Sequence, residues 1–160
     1  MKQKVLMQAA LPDALAAALG ERYDLHALST LTPTEFAALA AEITVVVTNG
    51  EAVVTREFIA LLPALKLIAV FGVGYDGVDV AAARDRGVQV THTPGVLTDD
   101  VADLAIGLML ATSRRIVAAQ RFIEQGGWRQ GGFPWTRKVS GARLGIFGMG
   151  RIGQAIARRA

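Results

Sequence analysis

The chain has no cysteine among its 160 residues. Disulfides, thiolate catalysis and cysteine-ligated metals are therefore excluded. Histidine is almost absent. His26 and His92 stand far apart without ligand-like spacing, so no metal site is expected. No apolar run approaches the roughly 18 residues of a membrane span. The opening Met1-Lys2-Gln3-Lys4 leads into an apolar run too short for a signal peptide. These absences point to a cytoplasmic protein with no membrane partner. Acidic residues are scarce after residue 110, where 1 Asp or Glu faces 10 Lys and Arg; before it, 13 face 7. The basic excess surrounds a glycine-rich loop suited to phosphate. No basic helix or aromatic platform accompanies it, so nucleic acid is not expected as a partner.

What is present is an apolar globular chain, 52% hydrophobic and 19% charged, which sets it apart from disordered sequences. Strand-like and helix-like segments alternate. Residues 5–7 form an apolar run. Residues 12–19 are rich in Ala and Leu, and Gly20 is expected to stop that helix. Residues 23–28 alternate like an edge strand. Thr32-Pro33 opens a helix over 34–41, with Pro at its first position. Residues 43–48 and 67–71 read as buried strands, and 88–91 as a further one. Thr55 and Asp79 begin the intervening helices. Five strand–helix repeats with continuous apolar strands predict a parallel sheet covered on both faces. Ligands bind beyond the carboxyl ends of such strands, where Asn49-Gly50 and Gly72-Val73-Gly74 supply glycine-rich loops.

A long helix is predicted over 99–125, with apolar residues at three- and four-residue spacing, capped by Thr98 and ended by Gly126-Gly127. Residues 128–143 read as a linker. Residues 144–147 read as a short strand running into Gly148-Met149-Gly150-Arg151-Ile152-Gly153 and then a helix. In that context GxGxxG signals a dinucleotide. Gly148 permits the tight turn, Gly150 lets pyrophosphate approach the backbone, and Gly153 lets helix and strand pack closely. The helix-start amides hold the phosphates, and Arg151 adds a charge. The residue that reads the ribose lies about 20 positions past the first glycine. The chain ends at Ala160 before reaching it, so a truncation is expected.

Together, residues 70–79, 93–105 and 140–153 make the chain resemble the D-isomer-specific 2-hydroxyacid dehydrogenase family, nearest its hydroxypyruvate, glyoxylate and hydroxyphenylpyruvate reductase branch. The resemblance implies an α/β fold: a flavodoxin-like parallel-sheet substrate domain over 1–97, an interdomain and dimerisation helix over 98–127, and the start of a Rossmann domain over 128–160. It implies that amides at Val73 and Gly74 bind the substrate carboxylate. Gly50 and Glu51 border the pocket, Trp135 is a substrate-side candidate, and Val101 walls the nicotinamide. The implied activity is hydride transfer between NAD(P)H, with NADP(H) favoured over NAD(H), and a small 2-keto acid to give a D-2-hydroxy acid. The implied assembly is a homodimer. The family's catalytic arginine, glutamate and histidine match no position here, so the chain alone is expected to be inactive. An NAD(H)-sensing corepressor-like binding protein of the same fold is the alternative. His92, at a position where relatives often carry Asn, is expected to be a hydrogen-bonded packing residue, and His26 to be solvated.

Overall fold

The computed structural model describes residues 2–160. Two compact units divide the chain, one running to Pro94 and the other spanning Gly95 to Ala160.

The first unit contains β1 (Lys4–Met7), α1 (Asp13–Arg22), β2 (Asp24–Ala27), α2 (Pro33–Ala40), β3 (Val45–Asn49), α3 (Arg56–Ala60), β4 (Leu67–Phe71), α4 (Val80–Asp85) and β5 (Gln89–Thr91). All strand pairs are parallel, in the order β2-β1-β3-β4-β5. The register aligns His26, Leu6, Val46, Ile68 and Val90 in one row across the sheet. Side chains in such a row share a face. Leu6, Val46 and Ile68 are completely buried there, against Ala40 of α2, Ile59 of α3, and Ala82 and Ala83 of α4.

The other face is covered less evenly, with Val5 and Val47 buried. Val45 and Leu67 are only half-buried, Phe71 is exposed, and α1 contributes no buried residue. Leu15 and Leu19 of α1 are half-buried. The expected solvation of His26 is corrected. His26 lies in the row of Leu6, largely buried, with Nε2 3.3 Å from Asp24 Oδ2. Gly20 does not stop α1, which continues to Arg22. Lys2 Nζ instead satisfies late carbonyls of that helix, donating to Gly20 O at 3.1 Å and Glu21 O at 2.7 Å.

Capping follows the sequence. Thr55 Oγ1 accepts from Phe58 N, and Asp79 Oδ1 accepts from Ala82 N. Thr32 and Glu35 form a full capping box: Thr32 Oγ1 accepts from Glu35 N, while Glu35 Oε2 accepts from Thr32 N at 2.8 Å. The Thr32 backbone N–H, and then its hydroxyl, hold the Glu35 carboxyl below the usual carboxylate range. The resulting stabilisation is present above that range and is lost as pH falls through the lowered value. Thr32→Ala is expected to cost about 1 kcal/mol at neutral pH, read by urea denaturation. The Glu35 titration should move back up, and the gap between the two proteins should narrow in acid. A gap independent of pH would contradict the role given to Glu35.

The second unit holds α5 (Thr98–Ser113), α6 (Ile116–Glu124) and α7 (Arg151–Arg159). The single helix expected over 99–125 is therefore two helices. The break falls at Arg114-Arg115, where Arg115 is left-handed at φ 51°. The cause is tertiary. The segment expected to be a linker packs at the junction, with Arg137 N donating to Ser113 O and Arg114 Nε to Thr136 Oγ1. Arg115 lies over the Phe133 ring, which meets Phe122 edge-on. Thr98 does not cap α5. It is the first helical residue, and Leu97 occupies the cap position without a side-chain bond. Residues 144–147 do not form a strand. A strand exists through its ladder, and no strand pairs with this stretch among the described residues. Arg159 of α7 donates to Asp99 and Asp103 of α5.

Candidate functional site

In the first unit the site follows from topology. The chain leaves β1 toward β2 and later returns on the other side as β3, so β1 and β3 flank the switch point of the sheet. A cleft of about 430 Å³ opens there, lined by Ala10-Leu11-Pro12, Asn49-Gly50-Glu51 and Phe71-Gly72. The loop after β3 is shaped by Asn49, whose Oδ1 accepts from the N–H groups of Glu51 and Ala52 at 3.0 and 2.9 Å. Gln8 secures it from β1, donating to Val53 O while accepting from the buried Thr48 hydroxyl at 2.5 Å. This loop lies backbone to backbone with the turn after β4. A Cβ at Gly50 would stand 2.8 Å from Gly74 O, and one at Gly77 would stand 2.4 Å from Ala52 O.

Val73 and Gly74 lie in that turn. Their carbonyl and amide groups divide by role. Gly72 O accepts from Thr93 N at 2.9 Å, and Val73 O accepts from His92 Nδ1 at 2.9 Å. The N–H groups of Val73 and Gly74 have no acceptor among the described residues. Two adjacent free amides at a strand end are donors for an anion such as a carboxylate. Glu51 is exposed at the rim of the cleft. Asp76 and Asp79 carry no such arrangement, and Asp79 serves as a cap with Arg56 3.8 Å away.

In the second unit the glycine loop has the backbone its sequence requires. Gly148 is at φ 101°, a region closed to most side chains. A Cβ at Gly153 would lie 2.0 Å from Gly148 O. Around Gly150 nothing lies within 4 Å of where a Cβ would be, so the approach to the backbone is open. Gln154 N is the first amide of α7 with a partner in the turn before, Gly150 O. The amides of Arg151, Ile152 and Gly153 are left free among the described residues. This arrangement fits a pyrophosphate. Met149 and Arg151 are exposed beside it, Ile152 is half-buried, and Gly153 is buried. Val101 is partly exposed on α5, and Trp135 is fully exposed. Among the described residues no cluster of His, Asp or Glu could hold a metal, and no helix is long and apolar enough to cross a membrane.

Sequence reasoning missed Gln8, Thr93 and the close approach at Gly77. Gln8 carries no motif, Thr93 acts through its backbone, and Gly77 is visible only as one more glycine. His92 was singled out only for its position, and the hydrogen bond to Val73 gives it a partner.

The profile described as D-isomer specific 2-hydroxyacid dehydrogenase, catalytic domain, matches residues 5–154. A hydroxyphenylpyruvate reductase of Plectranthus scutellarioides is 46% identical over 98% of this chain and 50% of its own length. A glyoxylate reductase of Pyrococcus furiosus is 36% identical over 100% of this chain and 50% of its own. The chain thus spans about half the length of the curated relatives it matches. Among solved structures, a 2-hydroxyacid dehydrogenase from Ketogulonicigenium vulgare Y25 is similar at 42% identity and a TM-score of 0.91, over 99% of this chain and 51% of that one. An NADPH-dependent glyoxylate/hydroxypyruvate reductase from Sinorhizobium meliloti, in complex with NADP and malonate, is similar at 35% identity and a TM-score of 0.86, over 99% and 50%. With a profile match across most of its length, the chain belongs to the D-isomer specific 2-hydroxyacid dehydrogenase family.

Proposed function

We propose that this chain supplies the substrate unit and the opening of the dinucleotide unit of an enzyme that reduces a small 2-keto acid, of the hydroxypyruvate or glyoxylate type, to a D-2-hydroxy acid. The observation that carries the reading is the pair of free amides at Val73 and Gly74, held at a switch-point cleft. They bind the substrate carboxylate, with Gly50 and Glu51 bordering the remainder of the substrate; Trp135, in the second unit, is kept as a substrate-side candidate by the family resemblance alone. The free amides of the loop from Gly148 to Gly153 take the pyrophosphate, Met149 and Arg151 flank it, and Val101 walls the nicotinamide. The reduced nicotinamide, when bound, supplies hydride to the carbonyl carbon, and a proton goes to the carbonyl oxygen. Relatives named as glyoxylate and hydroxyphenylpyruvate reductases support the substrate class. The NADPH-dependent Sinorhizobium meliloti enzyme supports NADP(H) over NAD(H). We place the catalytic arginine, glutamate and histidine of the family outside this chain.

The reading includes a cytoplasmic homodimer. Leu104, Leu108, Ile116, Val117 and Ile123 of α5 and α6 are all more than half exposed, a patch suited to burial against a second copy. The test uses the full-length protein with NADPH or NADH and hydroxypyruvate or glyoxylate. Oxidation of reduced nicotinamide, faster with NADPH, is expected. Absence of turnover with either nicotinamide across small 2-keto acids would overturn the reading; nicotinamide binding without turnover would favour a sensor.

A further inference from the structure

We infer that His92 is a positioning residue for the anion-binding turn: its imidazole aims the Gly74 amide. The inference rests on the carboxylate-binding role proposed above for that turn. Val73 O can only accept, so His92 Nδ1 at 2.9 Å carries the proton and donates. The carbonyl of Val73 and the N–H of Gly74 belong to one peptide plane. No peptide bond is cis among the described residues. In a trans peptide those two groups point in opposite directions. Holding the oxygen toward β5 therefore fixes where the Gly74 N–H points. The preceding peptide is fixed in the same way, because Thr93 N donates to Gly72 O and so aims the Val73 N–H. Consecutive residues at the end of β5 thus set both donors of the turn, one through its backbone and one through a side chain.

Only the second tie depends on residue type. His92 is itself held, half-buried, with its ring edge-on to Tyr75 at 4.8 Å between centroids. A fixed donor on a carbonyl that would otherwise turn freely pre-orients the opposite amide before the anion arrives. Such an amide binds the substrate and the transition state alike, so its loss should appear in KM rather than kcat.

The test compares His92→Leu with His92→Asn in the full-length protein. The Asn side-chain nitrogen is as many bonds from Cα as His Nδ1, so it can make the same donation; Leu cannot. At saturating NADPH, His92→Leu should raise KM for glyoxylate by about tenfold, the scale of one hydrogen bond to a charged group. Neither kcat nor KM for NADPH should change by more than about twofold. His92→Asn should restore KM to within about threefold of the parent. Wild-type KM in His92→Leu, or equal impairment of both variants, would overturn the inference; the second result would assign His92 to packing against Tyr75. A readout independent of turnover uses isotope-labelled glycine and oxamate as the anion. The Gly74 amide resonance should shift with oxamate in the parent and in His92→Asn, and should fail to shift in His92→Leu. If the parent reduces no 2-keto acid but this pattern holds, the proposed function fails while the role of His92 stands. A parent Gly74 amide indifferent to oxamate overturns the role of His92 even if turnover is found.

Discussion

In the full-length protein, Gly153→Ala should weaken binding of reduced nicotinamide by about a hundredfold. The added Cβ would stand 2.0 Å from the Gly148 carbonyl oxygen and 3.0 Å from its carbon. The opposing atoms are backbone, so no rotamer change relieves the overlap. Either α7 retreats by roughly 1 Å or the loop unwinds, and a displacement of that size in a positioning element typically costs about two orders of magnitude. The overlap should also lower the unfolding free energy by about 1–3 kcal/mol, as overpacking does. Gly150→Ala provides the contrast. Nothing lies within 4 Å of its added Cβ, so stability should be unchanged while the methyl obstructs the approaching phosphates. Nicotinamide fluorescence titration and urea denaturation, run on both variants, separate the two effects. Wild-type nicotinamide affinity in Gly153→Ala would contradict the role given to the loop.

The contrast between these glycines shows what the sequence could convey. GxGxxG in a helix-start context indicated a close approach at Gly153, and the structure has one. The same sequence suggested a strand over 144–147, which the structure lacks. Apolar residues provide the propensity for a strand, but the ladder needs a neighbour. Among the five parallel strands of the first unit, β3 and β4 were the most legible, because their apolar runs are largely buried and each finds its neighbour. The break in the long helix was not legible. Arg114-Arg115 contains neither Gly nor Pro; the left-handed Arg115 lies over Phe133 and Arg114 donates to Thr136, partners some twenty positions later. Gly20 misled for the converse reason. Its composition looks like a stop, but Lys2 satisfies the carbonyls of that turn from outside the helix.

Site residues divided along the same line. Val73, Gly74 and Gly50 stood out because glycine at the carboxyl end of a strand has few other uses. The ties that orient them did not. Thr93 contributes a backbone N–H, and any residue but proline would do so equally. Gln8 is one polar residue at the end of β1, and its partners, Thr48 and Val53, are forty or more positions away. Contacts made through the backbone, or across such separations, leave no local pattern in a single sequence.

Gly77→Ala should reduce kcat/KM for 2-keto acids by roughly a hundredfold while leaving nicotinamide affinity near that of the parent. The loops after β3 and β4 are stitched together beside this residue. Val54 N donates to Gly77 O at 2.8 Å, and Asp79 N donates to Val54 O at 2.9 Å. A Cβ at Gly77 would meet Ala52 O at 2.4 Å, inside that stitching, where neither backbone can yield alone. The loops must part, and the turn bearing the free amides of Val73 and Gly74 moves with them. Gly50→Ala tests the same contact from the other loop. Its Cβ would face Gly74 O at 2.8 Å, a milder overlap, and should cost about tenfold, since a smaller displacement of the same donors is needed. The effects of Gly77→Ala and Gly50→Ala should combine to less than their product, because either change already separates the same two loops. Steady-state kinetics on the two single variants and the double variant, beside nicotinamide titrations, would measure this. A graded loss confined to the keto acid points to the loop contact. Parent-like kcat/KM in Gly77→Ala would show that the spacing of the loops does not set the position of the amides.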